Sequence, residues 1–243
     1  MKAFLTSFPL DETQCAFSRK NGFRDAFLSS LGGKCHMVFV ASDPNDYKGS
    51  EGFASLISSV LEKEGVKVLS CDILDNRNKT RAASLFRKAD LVVLAGGHTP
   101  TQNEFFASFP LKMILSSYKG TLLGISAGTM NSGKFVYLMP EEEGETKDGR
   151  CNVLAKGLGI TNLVTIPHYD EREEDMLDGI NLWRDVVYPF FTSRVVMAIP
   201  DGTYILVDRD GERIMGECWA IKGGKREKIS EEGEEVGVEN ERA

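Results

Sequence analysis

Residues 120–131 read Gly-Thr-Leu-Leu-Gly-Ile-Ser-Ala-Gly-Thr-Met-Asn. The run Gly120 to Ile125 is apolar nearly throughout, the mark of a strand covered on both faces. Small residues follow it, as they must where a strand turns abruptly into a helix and bulk would clash. The same unit recurs upstream. Cys35 to Ala41 (CHMVFVA), Val66 to Cys71 and Asp90 to Ala95 (DLVVLA) are further apolar runs, and Phe4 to Phe8 is a short first strand. Between them, Gly22 to Leu31, Gly52 to Glu64, Thr80 to Lys88 and Gln102 to Ser117 read as helical, the first with Phe23, Phe27, Leu28 and Leu31 on one face. This alternation predicts an α/β fold, a doubly wound and mainly parallel sheet with right-handed crossovers.

The last third changes character. Leu163 to Ile166 and Val195 to Ile199 are expected strands, Glu171 to Tyr188 is charged and expected to be helical, and Glu141 to Asp148 is an acidic surface loop. Thr203 to Val207 and Arg213 to Cys218 flank Arg209-Asp210-Gly211-Glu212 and predict a C-terminal β-hairpin. No linker interrupts the chain, so residues 1–229 read as a single α/β domain. Residues 230–243 hold six Glu and read as an acidic C-terminal tail left to solvent.

Composition narrows the function. A chain of 243 residues that is 42% hydrophobic can bury a core, which excludes disorder for the bulk. A net charge of −7 argues against nucleic acid, whose binding needs a basic face. No apolar run approaches the roughly 20 residues of a membrane helix, and Met1 to Phe8 lacks a secretion signal's long apolar stretch, so no membrane partner is expected. Five scattered cysteines without a CxxC pair suggest neither a disulfide framework nor a thiolate metal site, and a cytoplasmic location is expected.

Gly124-Ile125-Ser126-Ala127-Gly128 carries the sharpest chemistry. In a G-x-S-x-G turn the serine projects from strained backbone with its hydroxyl exposed. A serine hydroxyl needs an adjacent base, and the chain has three histidines. His98 and His168 follow strand ends, where reactive groups of an α/β sheet collect, whereas His36 lies within a strand as a core or edge residue. The base needs an orienting acid, for which Asp170, Glu171 and Asp201 are candidates. Oxyanion donors are expected from the amide of Ala127 and from the Gly96-Gly97 turn, where no side chain intervenes.

Four separated motifs, Gly96-Gly97-His98-Thr99, Gly124 to Asn131, Pro167-His168-Tyr169 and Ile199-Pro200-Asp201-Gly202-Thr203, resemble in order and spacing the peptidase E and cyanophycinase family of serine peptidases, over about residues 35 to 222. The resemblance implies a fold similar to class I glutamine amidotransferases, flavodoxin-like in layout. It implies Ser126 as nucleophile, His168 as base, Asp201 as acid and the amides of Gly97 and Ala127 as oxyanion hole. It further implies hydrolysis of short peptides, with no cofactor and no metal. Peptidase E is selective for dipeptides with N-terminal aspartate, which requires a cation in the pocket. Arg172 and Arg184 are candidate carriers, with Gly96 and His98 as further substrate-binding candidates; His98 stands where family members often have Asn. The partners expected are a small peptide and, at most, a second copy of the chain as a homodimer.

Other readings compete. Gly128 to Phe135 falls one residue short of a phosphate-binding loop and has Phe135 where magnesium needs a hydroxyl. His168, Asp170, Glu171 and Glu173 could serve a metal hydrolase but lack a second histidine at ligand spacing. An α/β-hydrolase esterase would take its acid from Glu141 to Asp148. A non-catalytic, amidotransferase-like binding module is the remaining alternative.

Overall fold

Side-chain alternation along the strands decides which of two cores each residue enters. In the computed structural model, which describes residues 1–169 and 174–238, five parallel strands carry that alternation: β1 (Lys2–Thr6), β2 (Lys34–Val40), β3 (Lys67–Leu74), β4 (Leu91–Leu94) and β5 (Thr121–Ile125). Ala3, Leu5, Val38, Val40, Val92, Leu94 and Leu122 turn to one face. There they meet α3 (Ala82–Phe86), α4 (Thr99–Ala107) and α5 (Leu111–Ser117). Phe4, Met37, Phe39, Leu91, Val93, Leu123 and Ile125 turn to the other, against α1 (Phe23–Ser29) and α2 (Tyr47–Lys63). The doubly covered parallel sheet is thus present. The helical stretch Gln102 to Ser117 is two helices, because Pro110 supplies no N–H to continue the first.

The short helix α6 (Ala127–Asn131) follows β5, and all five of its residues are buried. Beyond it come β6 (Phe135–Leu138) and β7 (Val153–Lys156), a hairpin, then β8 (Thr165–Ile166), β9 (Met176–Leu177), β10 (Ile180–Asn181) and β11 (Val196–Ala198). The chain then runs through β12 (Tyr204–Asp208), β13 (Gly211–Met215), β14 (Cys218–Lys222), β15 (Lys225–Ser230) and β16 (Glu235–Gly237). The large sheet has the order β16-β13-β12-β1-β5-β4-β2-β3, its first four strands antiparallel to one another. A second sheet, β15-β14-β11-β8, covers a core of Tyr137, Tyr169, Trp183 and Phe191.

Two expectations are corrected. In the segment read as a helix from Glu171 to Tyr188, the described part begins with the β9–β10 hairpin and becomes helical only from Trp183. The hairpin turns on Asp178 (φ 50°) and Gly179 (φ 81°), the two positive φ values that an Asp-Gly hairpin turn requires. The acidic tail is not wholly left to solvent, since β16 extends the large sheet with Val236 opposite Ile214. Ser230 is buried and donates to the Gly216 carbonyl at 2.6 Å. Among the described residues no helix is long and apolar enough to cross a membrane.

Candidate active site

Ser126 is the residue at which β5 becomes α6, with φ 49° and ψ −109°. Such a conformation costs an L-residue on the order of 1–3 kcal/mol and persists only where the surroundings over-determine it. Here they do. The Ser126 N–H donates to the carbonyls of Thr6 (3.1 Å) and Ser7 (3.2 Å) at the end of β1. Thr6 and Thr129 hydroxyls tie the flanks to Gly124 O and Thr6 O, each at 2.8 Å. A Cβ at Gly128 would lie 2.3 Å from the Leu94 carbonyl oxygen, and one at Gly124 would lie 3.0 Å from Leu5. Gly128 is therefore required by close approach to backbone, Gly124 sits tight against side chains, and the helix packs directly on β4 and β1.

The residues expected as base and acid, His168 and Asp201, come from the second sheet. Parallel strands β8 and β11 pair Ile166 with Ala198, so the residues just beyond both strands emerge at one end. His168 follows β8 with φ 57°, and Asp201 follows β11 in the Pro200-Asp201-Gly202 turn, closed by Thr203 N–H on the Pro200 carbonyl at 3.1 Å. His168 Nε2 lies 2.9 Å from Ser126 Oγ and its Nδ1 lies 2.8 Å from Asp201 Oδ1. With the ring proton on Nδ1, Asp201 accepts it and Nε2 is left to accept from the serine. Within the Glu141 to Asp148 loop, Glu145 meets His98, Glu141 the Thr99 N–H and Asp148 Arg150, and the carboxylate against His168 is Asp201, which removes the α/β-hydrolase arrangement.

Gly96 and Gly97 follow β4 beside the serine. A Cβ at Gly96 would sit 3.4 Å from Ser126 Cβ, and Gly97, at φ 145°, leaves no room for one beside Ser42. Ala127 is the first residue of α6, where a backbone N–H has no partner within the helix.

A cleft of about 340 Å³ opens in front of Ser126 and His168. Its wall is largely apolar, with Met130, Met139, Ile166, Leu182 and Trp183, and its acidic groups among the described residues are Glu141 and Asp175. Glu141 accepts the Thr99 N–H at 3.2 Å, and although the residue keeps contact with solvent, burial of its carboxyl pushes its pKa up. Burial would also raise Glu145, but the N–H groups of Glu141 and Glu142, with His98, outweigh it and hold that carboxyl low.

The substrate-binding candidates fare differently. His98 does not face the cleft: its ring is held between Thr101 (2.8 Å) and Glu145 (2.9 Å), because it caps the start of α4 against the acidic loop. Arg184 points to solvent and pairs with Asp185 at 2.8 Å, since the helical turn at Trp183–Val187 gives the cleft side to Trp183. Arg172, with Asp170, Glu171 and Glu173, lies outside the described residues. Lys134 and Phe135 stand at the head of a strand rather than in a phosphate loop. Burial pushes Cys35 and Cys151 to about 11 and Cys218 to about 12, so these thiols stay protonated at neutral pH.

Glu141 is read from sequence only within the acidic loop that could supply an esterase's acid, and Ser7 is not read as a site residue at all. Ser7 fell inside the run read as a strand, whereas β1 ends at Thr6 and releases Ser7 at the carboxyl edge where such sites gather.

Among solved structures, a peptidase from an acI-B1 Actinobacterium matches with a TM-score of 0.69 and 16% identity, covering 98% of this chain and 96% of that one. A candidate peptidase E protein of Listeria monocytogenes EGD-e matches with a TM-score of 0.55 and 15% identity, covering 94% and 98%. Both likenesses show a shared fold. No curated protein matches in sequence. The sequence model of peptidase family S51 matches residues 17–215, which is most of the chain, and on that match the chain belongs to peptidase family S51.

Proposed function

We propose that this serine peptidase cleaves short peptides through a triad of Ser126, His168 and Asp201. The observation that supports it is the unbroken hydrogen-bond chain, 2.9 Å from serine to imidazole and 2.8 Å from imidazole to carboxylate. Ser126 Oγ attacks the scissile carbonyl while His168 Nε2 takes its proton, and the imidazolium formed is stabilised by Asp201. The developing oxyanion is met by the N–H groups of Gly97 and Ala127. The same imidazolium protonates the leaving amine, and water then releases the acyl group from Ser126 by the reverse route. A cleft of about 340 Å³ is at the small end of ligand pockets, roughly 300–1,000 Å³, which suits a short peptide. Five free thiols suit a reducing cytoplasm.

Selectivity for an N-terminal aspartate is the narrower form of this reading. It rests on Arg172, because Arg184 and His98 are engaged with Asp185 and Glu145. A second reading is favoured by Glu141: none of the described residues lining the cleft is Lys or Arg, and a desolvated carboxylate there suits a substrate ammonium group. A panel of Asp-X, Leu-X and Lys-X dipeptides decides between them, with faster Asp-X cleavage supporting the first and faster Lys-X the second. Wild type, but not Ser126→Ala, is expected to turn over a panel member and to be labelled by an active-serine fluorophosphonate. An unlabelled wild type with no turnover would support a binding module instead.

A further inference from the structure

Resting on that triad, we infer that Ser7 is a fourth, positioning member that fixes all three others at once. Its hydroxyl donates to Asp201 Oδ1 at 2.6 Å and accepts the His168 backbone N–H at 2.7 Å. Its carbonyl accepts the Ser126 N–H at 3.2 Å, and its own N–H donates to the Thr203 carbonyl at 3.2 Å. One residue at the end of β1 thus touches the nucleophile's backbone, the base's backbone and the acid's side chain.

The contacts answer three separate needs. The Asp201 side chain is 44% exposed, so water competes for its oxygens and only a fixed donor can hold the rotamer that faces Nδ1. Ser7 is fully buried, and its backbone is bonded on both sides, so its hydroxyl is such a donor. His168 holds φ 57°, a strained value that is easier to maintain when its N–H has a partner in place. Ser126 holds φ 49° for the same reason, with the Ser7 carbonyl as one of its two acceptors. The bond to Ser126 uses the Ser7 backbone and not its side chain, so a substitution of similar size tests the hydroxyl by itself.

The test compares Ser7→Ala, Ser7→Cys, Ser126→Ala and wild type on a peptide that wild type cleaves. Ser7→Ala is expected to lower kcat on the order of 10²-fold, the penalty of a displaced catalytic group, with KM unmoved and thermal melting still cooperative. A packing role alone would not move the pH profile. Loss of the hydroxyl frees Asp201 to leave the rotamer that faces Nδ1, and the imidazolium loses part of its stabilising charge, so the acid limb of kcat/KM is expected to move to lower pH, and the downfield Nδ1 proton resonance of His168 to shift with it. Ser7→Cys keeps a weak donor of similar size and is expected to fall between. Wild-type kcat with an unmoved acid limb in Ser7→Ala overturns the proposal. If that variant does not fold, the same result in Ser7→Cys overturns it. Turnover by Ser126→Ala would remove the triad reading and this one with it, whereas an inactive Ser126→Ala beside a fully active Ser7→Ala removes the positioning role alone.

Discussion

Ser126 and His168 both hold positive φ, and the backbone N–H of each is bonded to residues at the end of β1, far away in sequence. The proposed acid can be tested at this scale. Asp201→Asn leaves the fold intact but favours the wrong imidazole tautomer, so kcat is expected to fall on the order of 10⁴-fold; activity within a few-fold of wild type would reassign the acid. Gly128→Ala tests packing under the nucleophile. Its methyl would meet the Leu94 carbonyl at 2.3 Å, a backbone atom that cannot swing aside, so a loss of about 1–3 kcal/mol in denaturant unfolding is expected. Glu141 gives a pH signature. Burial raises its folded pKa above the ordinary 4.5, so its contribution to stability is full below that value and is lost as pH rises through the folded pKa. Glu141→Gln, which keeps an acceptor for the Thr99 N–H, is therefore expected to melt higher than wild type at neutral pH. The gain should disappear in acid, and an equal gain at both would show that charge is not the cause.

The elements divide into those that sequence pattern reveals and those that distant partners create. Apolar runs such as Cys35 to Ala41 and Asp90 to Ala95 were legible because burial on both faces leaves no ambiguity of period. Glu171 to Tyr188 was not, because its charges obscured an Asp178-Gly179 turn of two strands only two residues long. That turn has a second use: Asp178 accepts the Gly144 N–H at 2.7 Å and the Thr146 hydroxyl at 2.5 Å, pinning the loop that carries Glu141 and Glu145. Asp178→Ala should free the loop, read as faster hydrogen exchange at the Gly144 and Thr146 amides with the β4 and β5 amides unchanged. Ser126 and His168 could be read locally from turn chemistry and strand ends, whereas Asp201 is one of three candidate acids there and is singled out by the family resemblance. The arginines could not, since whether Arg184 faces a cleft or solvent depends on which side of one helical turn the core claims.

At the scale of the whole molecule, two sheets cooperate: the large one presents Ser7, the Gly96-Gly97 turn and Ser126, and the small one presents His168 and Asp201. The far edge of the large sheet stands apart from this junction, linked to it through Asn21, which accepts the Gly233 N–H at 2.7 Å and donates to the Gly202 carbonyl at 2.8 Å. Ending the chain at Ser230 removes β16 and its pairing with Arg213, Ile214 and Met215, so melting is expected to drop by about 2–4 °C for each kcal/mol lost while kcat holds. A fall in kcat without a fall in melting temperature would contradict that separation. The position of β1 has a consequence in time. It lies between β5 and β12, bonded in parallel to residues 121–125 and antiparallel to residues 204–207, and Ser7 meets Asp201 across 194 positions of sequence. Contacts of such separation form late, because a long loop must close before they are rewarded. During synthesis Ser126 leaves the ribosome well ahead of His168 and Asp201, the base and acid proposed for it, and the strand that unites them waits for residues beyond 200. If the proposed triad carries the chemistry, a half-made chain is a peptidase without teeth, and hydrolytic power arrives only with the closing of the sheet.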